Sequence, residues 1–335
     1  MRPRRVVALC FLLLTSTVSS VRAQHGTFTL QKENDLFALN DRTDRAYTNG
    51  TRLMWTWSPK ASSWADRLVG KLCGGEECRR SATLGLGQSM YTPENLQSRR
   101  KIRRDRPYGG WLYGLLMLDA TKEETADHVE MYAGVIGRAS YAAEAQKFIH
   151  EYVTPAAPEP LGWDTQIGER PGILAVYEHR VKFLQFRDRR DLPFFDVTPA
   201  LGGAVGNVFD DLSAGSTVRL GYNLPPHFLR PIPSLLGLTA ESGDDSSALN
   251  ESRWDAYVFA TAEARYVLRN VFIDADHESY GIRREPLVRD RRVGASVRFR
   301  QLRLEYAHTI RSPEFKPDSR SHSYGTFILS VGTQP

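Results

Sequence analysis

From His128 to Val135 the chain reads His-Val-Glu-Met-Tyr-Ala-Gly-Val, so Val129, Met131, Ala133 and Val135 fall on one side and His128, Glu130 and Tyr132 on the other. Alternation with period two marks a strand whose two faces meet different surroundings. The same pattern recurs along the chain. Leu53, Trp55 and Trp57 share a face, and Gly110 to Leu115 alternates aromatic with smaller residues. Tyr257, Phe259, Thr261, Glu263 and Arg265 oppose Ala256, Val258, Ala260, Ala262 and Ala264. Val293–Phe299 follows the pattern, and so does Leu302–Ala307, where Arg303 and Glu305 stand against Leu302, Leu304 and Tyr306. A chain of such segments is all-β.

At 41% hydrophobic, with no later apolar run of about 18 residues, the sequence encodes no helical membrane span. Barrel strands are only half apolar and escape that test. Two-faced strands with aromatic residues near their ends describe a transmembrane antiparallel β-barrel. A soluble periplasmic β-sandwich produces the same alternation and stays open on pattern alone. One stretch departs from it: Tyr141–Tyr152 is rich in helix formers and precedes a Pro-bearing stretch, which predicts a short helix with Gln146 and His150 on one face.

The first residues read as a secretory signal. Arg2, Arg4 and Arg5 precede the apolar run Val6–Leu14, and Val21-Arg22-Ala23 suggests cleavage before Gln24, leaving 24–335 as the barrel. Removing residues 1–23 takes four of the 44 basic residues and none of the 39 acidic ones, so the net charge falls from +5 to +1. The basic balance therefore argues little for nucleic acid, and none is expected as a partner. Cys73 and Cys78 flank Gly74-Gly75-Glu76-Glu77, and in an exported protein such a close pair suggests a loop disulfide.

Several residues can carry chemistry. His150 is the candidate general base, because imidazole exchanges a proton near neutral pH. Asn34 and Asp35 can offer oxygen to a hard cation such as Ca²⁺, or form an Asx turn that ends a strand. In an extended strand these two neighbours face opposite ways unless a bulge turns both inward. Thr48-Asn49-Gly50 reads either as a hairpin through Asn-Gly or as a hydroxyl and an amide set to stabilise an oxyanion. Asp105-Arg106 would orient neighbouring groups if it were a buried pair. Arg99, Arg100 and Lys101, in a strongly basic loop, can meet anionic headgroups or simply be solvated. No Gly-x-Ser-x-Gly elbow, His-Glu-x-x-His helix, phosphate-binding glycine loop or Cys-rich zinc pattern is present, which disfavours serine-nucleophile and zinc hydrolysis.

Taken in order, the motifs resemble the lipid A 3′-O-deacylase family of Gram-negative outer membranes. The matching pieces are Glu33-Asn34-Asp35-x-Phe37, Thr43-Asp44-Arg45-x-Tyr47-Thr48-Asn49-Gly50, Gly87-Gln88-x-x-Tyr91-Thr92-Pro93 and Asp105-Arg106-Pro107-Tyr108-x-Gly110-Trp111-Leu112-Tyr113. They continue through Gly134-Val135-Ile136-Gly137, Gln146, His150, Gly162-Trp163-x-x-Gln166, Gly206-Asn207, Arg269-Asn270 with Asp274, and Glu314-Phe315. The resemblance implies a twelve-stranded barrel with its site near the outer rim, and Ca²⁺-dependent hydrolysis of the ester that holds the 3′-acyloxyacyl group on lipid A. Carried over residue by residue, it makes His150 the group that activates water. Asn34 and Asp35 bind Ca²⁺ or orient the imidazole, and Thr48 holds the ester or its oxyanion. The family's lysine beyond the Tyr-x-Pro motif has no fixed equivalent, and Arg99, Arg100 and Lys101 are the candidates for contacting substrate. The expected partner is lipopolysaccharide, and the expected state is a monomer in the outer membrane. A non-catalytic porin or scaffold barrel, or an esterase directed at phospholipid, are the competing readings.

Overall fold

The computed structural model describes residues 26–39, 46–152, 157–225 and 254–333. The signal segment, the Thr43-Asp44-Arg45 part of one motif and Pro155 lie outside them. Twelve long strands form the body: β1 (Gly26–Asn34), β2 (Ala46–Trp57), β3 (Arg79–Thr92), β4 (Gly109–Thr121), β5 (Thr125–Ile136) and β6 (Arg170–Val181) in the first half. The second half supplies β7 (Pro193–Gly206), β8 (Phe209–Tyr222), β9 (Trp254–Asn270), β10 (Leu287–Phe299), β11 (Leu302–Arg311) and β12 (His322–Thr333). Each pairs antiparallel with its neighbour in sequence, and β1 closes on β12 from Gly26↔Thr333 to Asn34↔Gly325. Closure leaves no unpaired edge in the body, as a bilayer requires of a β structure. The sandwich alternative is thereby excluded.

The inner and outer faces follow the alternation. Phe28, Leu53, Leu84, Leu86, Val258, Val293, Leu304 and Phe327 are exposed on the outer wall. The inner face is polar but paired: Arg219 meets Asp196 at 2.6 Å, Arg311 and Arg265 meet Asp290 at 2.8 and 2.9 Å, and Arg298 and Arg303 both meet Asp255. Buried charges of this kind persist only with partners.

Strand direction separates two ends. The first and last described residues stand at one, and the described parts of the connections that follow Asn34, Thr92, Ile136, Asn270 and Arg311 lie at the other, here termed distal. The distal lumen is packed with aromatic side chains. Phe272, from the 271–286 connection, stacks on Tyr91 with ring centroids 4.1 Å apart, and Phe209 sits 5.8 Å from it. Arg106 lies over the Tyr91 ring and pairs with Glu314 at 3.2 Å. The partner of buried Arg106 is thus Glu314, not Asp105, whose carboxylate accepts instead from the backbone N–H groups of Glu94 and Arg106.

Besides two four-residue helices in the 271–286 connection, two longer helices interrupt the strands. The expected one is α2 (Ala142–Tyr152); the other, α1 (Trp64–Leu72), was not foreseen. Its signal is a local cap: the Ser63 hydroxyl accepts from Asp66 N at 3.2 Å. The helix leads into Cys73, which is disulfide-bonded to Cys78.

Candidate active site on the outer wall

β1 ends in a polar turn. Asn34 is still extended, and its Oδ1 accepts from Leu36 N at 2.8 Å, starting a single 3₁₀ turn over Asp35–Phe37. The Asx-turn reading is therefore correct, and no bulge is needed. The turn folds against the outer face of the barrel, where the Tyr306 hydroxyl donates to Phe37 O at 2.8 Å and the Phe37 ring meets Phe327 edge-on at 5.1 Å. Only glycine fits beneath it, since a Cβ at position 325 would stand 2.4 Å from Phe37 O. Folding back in this way leaves Asp35 2% exposed.

Thr48-Asn49-Gly50 is not a hairpin; it lies inside β2, where the β2–β3 register shifts between Tyr47 and Asn49. The irregularity places two consecutive polar side chains on one face. Thr48 Oγ1 lies 2.5 Å from Thr92 Oγ1, and Asn49 Nδ2 donates to Met90 Sδ at 3.7 Å. Met90 and Thr92 are two apart in β3, hence on the same face, and Tyr91 between them points into the lumen. Register also sets Asn49 opposite Asn34. Asn34, Thr48, Asn49 and Thr92 therefore share the outer wall at its distal end.

Helix α2 lies against that wall. Its buried residues are Ala142, Gln146 and His150, a stripe of spacing four. Gly110 allows the approach, because a Cβ there would come within 2.3 Å of Ala142 Cβ. Met90, Leu96, Tyr108, Ala142 and Trp163 pack into one cluster, and Trp163 Nε1 donates to Gln146 Oε1 at 2.7 Å. His150, 9% exposed, contacts Pro158 O through Nδ1 at 2.8 Å. A carbonyl only accepts, so Nδ1 carries the proton and the lone pair of the neutral ring sits on Nε2. That tautomer is the one a base needs.

The donor set suits a hard cation. Among the described residues no three His, Cys, Asp or Glu side chains gather as a metal cluster. The oxygen groups around this turn are the Asp35 carboxylate, the Asn34 amide, whose Oδ1 already accepts from Leu36 N, the Asn49 amide and the Thr48 hydroxyl, which is bonded to Thr92. Asn49 Oδ1 is buried without a hydrogen-bond partner among the described residues. Oxygen donors with a single carboxylate and no thiolate favour Ca²⁺-type over zinc-type chemistry.

The basic loop stands apart. Arg99 and Arg100 are solvent-exposed, and Lys101 pairs with Asp276 at 2.8 Å while lying over the Tyr280 ring. The Asp276 carboxylate raises the pKa of Lys101. This loop shares the distal end with the site but is tied to the 271–286 connection. Sequence reading passed over Thr92 and Met90 as site neighbours; both stand in the Gly87–Pro93 motif, whose pairing with β2 only the register reveals.

Comparison with known proteins places these features in context. The family described as "LpxR: Outer membrane protein LpxR" matches residues 6–333. Among solved structures, LpxR from Salmonella typhimurium superposes with a TM-score of 0.71 at 19% identity, covering 91% of this chain and 99% of that one. The β domain of the Bordetella autotransporter BrkA (TM-score 0.39, 9% identity, 92% and 97% covered) is far more distant. So is the translocator domain of NalP from Neisseria meningitidis (0.38, 11%, 98% and 95%). A search among curated proteins returned no match.

Proposed function

The chain belongs to the LpxR family of outer-membrane proteins, the lipid A 3′-O-deacylase family, and on that premise we propose that it hydrolyses the ester holding the 3′-acyloxyacyl group on lipid A, with His150 as base. The observation that carries this reading is the position of the polar side chains. Asn34, Thr48 and Asn49 are buried on the outer wall, and His150 is buried on a helix packed outside the neighbouring β3 and β4, where a pore-lining role has no use for them. The porin alternative is further weakened by the distal lumen, which is filled by Tyr91, Phe209 and Phe272.

In this mechanism His150 Nε2 takes a proton from water as the oxygen attacks the ester carbonyl, and gives it to the sugar oxygen as the acyl C–O bond breaks, leaving a free sugar hydroxyl and a carboxylic acid. Pro158 O holds the Nδ1 proton and so keeps the ring in the basic tautomer throughout. Thr48, its hydroxyl oriented by Thr92, positions the ester. Asp35 and Asn34 would hold Ca²⁺, with Asn49 Oδ1 as a further ligand, and a cation held there would supply positive charge beside the carbonyl oxygen as it becomes negative. A phospholipid ester would meet the same groups, so the substrate assignment rests on the family. The same reading has the protein act as a monomer, with Arg99, Arg100 and Lys101 reaching lipid phosphates at the rim.

Mass spectrometry of lipid A incubated with the purified protein and Ca²⁺ tests this directly. Loss of a 3′-acyloxyacyl unit, abolished by His150→Ala in a barrel that still folds, is the expected result. Full activity of that variant would remove His150 from the mechanism, and cleavage of phospholipid alone would redirect the substrate.

A further inference from the structure

One rung inward from the candidate site, the outer wall carries a second polar row. Lys32 faces Thr51 on β2, and Thr51 faces Gln88 on β3. Lys32 lies two residues before Asn34 and therefore on the same face, about 7 Å further along the strand. The next rung inward is wholly apolar: Leu30, Leu53 and Leu86. Lys32, Thr51 and Gln88 thus form a boundary between the polar site and the lipid belt.

Lysine on a lipid-facing barrel wall is destabilising and usually extends toward the headgroups. Lys32 does not. Its Nζ donates to Thr51 Oγ1 at 2.9 Å, which holds the ammonium level with its own rung. Beside it runs an outer-wall groove of about 400 Å³, lined by Leu30, Val297, Leu304, Tyr306, Phe327 and Leu329 as well as Lys32. A cation at the head of an apolar groove, just membrane-ward of a hydrolytic site, meets whatever lies a few bonds along the acyl chain being released. A plain acyl chain has only methylene there. An acyloxyacyl chain has a second ester.

We propose that the Lys32–Thr51–Gln88 row is a subsite that reads this second ester: Lys32 Nζ donates to its carbonyl oxygen, the groove takes one of the two hydrocarbon branches, and Gln88, whose Nε2 donates to Ser140 O at 2.6 Å, bounds the row and makes no contact with the ester. Lys32 is then a specificity residue, setting preference for branched over unbranched chains. The proposal rests on the hydrolytic reading given above. Phosphate at headgroup level is the other oxygen-rich source a lysine can bind, but the row lies on the membrane side of Asn34.

The test compares wild type with Lys32→Met, similar in length and uncharged, on lipid A bearing a 3′-acyloxyacyl chain and on lipid A bearing an unsubstituted 3′-acyl chain. Losing a charge-assisted hydrogen bond should lower kcat/KM on the branched substrate by roughly tenfold or more, through KM, and leave the unbranched one unchanged. Lys32→Arg should retain most of the preference, and dephosphorylated lipid A should show the same dependence on Lys32. The Lys32→Met barrel should unfold no more readily in denaturant than wild type; easier unfolding would make Lys32 structural. Equal losses on both substrates, no loss on either, or dependence only on the phosphorylated lipid would overturn the subsite. A second arm measures binding of the two lipids to the His150→Ala variant with and without Lys32→Met. If wild type hydrolyses neither lipid, the functional reading fails and this binding preference alone decides the row.

Discussion

Trp163 Nε1 donates to Gln146 Oε1 at 2.7 Å, joining the 163–165 turn to the middle of α2 one helical turn before His150. The bond also sets the Gln146 amide, because an indole N–H must meet the carbonyl oxygen. Replacing Gln146 by Leu leaves the indole N–H buried without its acceptor, at a cost of about 1–3 kcal/mol. That cost falls on the docking of α2 and not on the barrel. Lipid A hydrolysis should fall by an order of magnitude or more while the heat-modifiable gel shift stays at its wild-type temperature; a matching drop in barrel stability would refute the assignment.

Thr48 and Thr92 invite a double-variant experiment. Thr48→Val strands the Thr92 hydroxyl in a fully buried setting, costing about 1–3 kcal/mol, whereas replacing both hydroxyls by methyl groups of similar shape is nearly neutral. Denaturant unfolding should therefore show the double variant recovering stability relative to Thr48→Val. Activity should not recover, since Thr48 is proposed to touch the ester. Recovery of both would make the pair structural.

Removal of Ca²⁺ should separate catalysis from folding. With excess chelator, hydrolysis is expected to stop and to return on adding Ca²⁺ but not Mg²⁺, whose octahedral demand an irregular oxygen set meets poorly. Asp35→Asn should raise the Ca²⁺ concentration needed for half activity. The gel shift should be unaffected throughout. Undiminished turnover in chelator would dismiss the ion from the reaction.

Acid should act on the distal closure through Glu314. Burial opposes its ionisation, but Arg106 and Arg311 outweigh burial and hold the carboxyl below the ordinary glutamate range. A lowered folded value means the stabilisation is complete above the unfolded pKa and disappears as pH falls through the folded one. Resistance of the loops to protease should therefore persist at neutral pH and fail only in acid below the ordinary glutamate range. Glu314→Gln breaks a buried pair, worth about 3–5 kcal/mol, and should show the loss at neutral pH without the acid transition.

Much of this was readable from residue order. The faces of β5, β9, β10 and β11 are those the alternation assigns, and α2 begins within a residue of expectation. Closure was not readable locally: Gly26 meets Thr333, a pairing no window of sequence contains. The site divides in the same way. The shared buried face of Gln146 and His150 follows from helical spacing, and the turn after Asn34 from Asx chemistry. Thr48 joins them only because β2 slips register by one residue, a departure from period two that alternation cannot forecast. Asp105-Arg106 invites a pair between sequence neighbours, buried or at the surface, yet the buried partner of Arg106 is Glu314, from a connection more than two hundred residues away. Lys32 carries no signal in the sequence, because parity alone does not say which face is wet.

The turn after Asn34 and the helix carrying His150 both lie on the outside of the cylinder, so on the proposed function the route to the site runs sideways through the leaflet. A lipid arriving there never leaves the membrane, and its two-dimensional mole fraction, not its bulk molarity, sets how often it is met. Diluting the target lipid with inert lipid should slow encounter even when the amount of target per volume is unchanged.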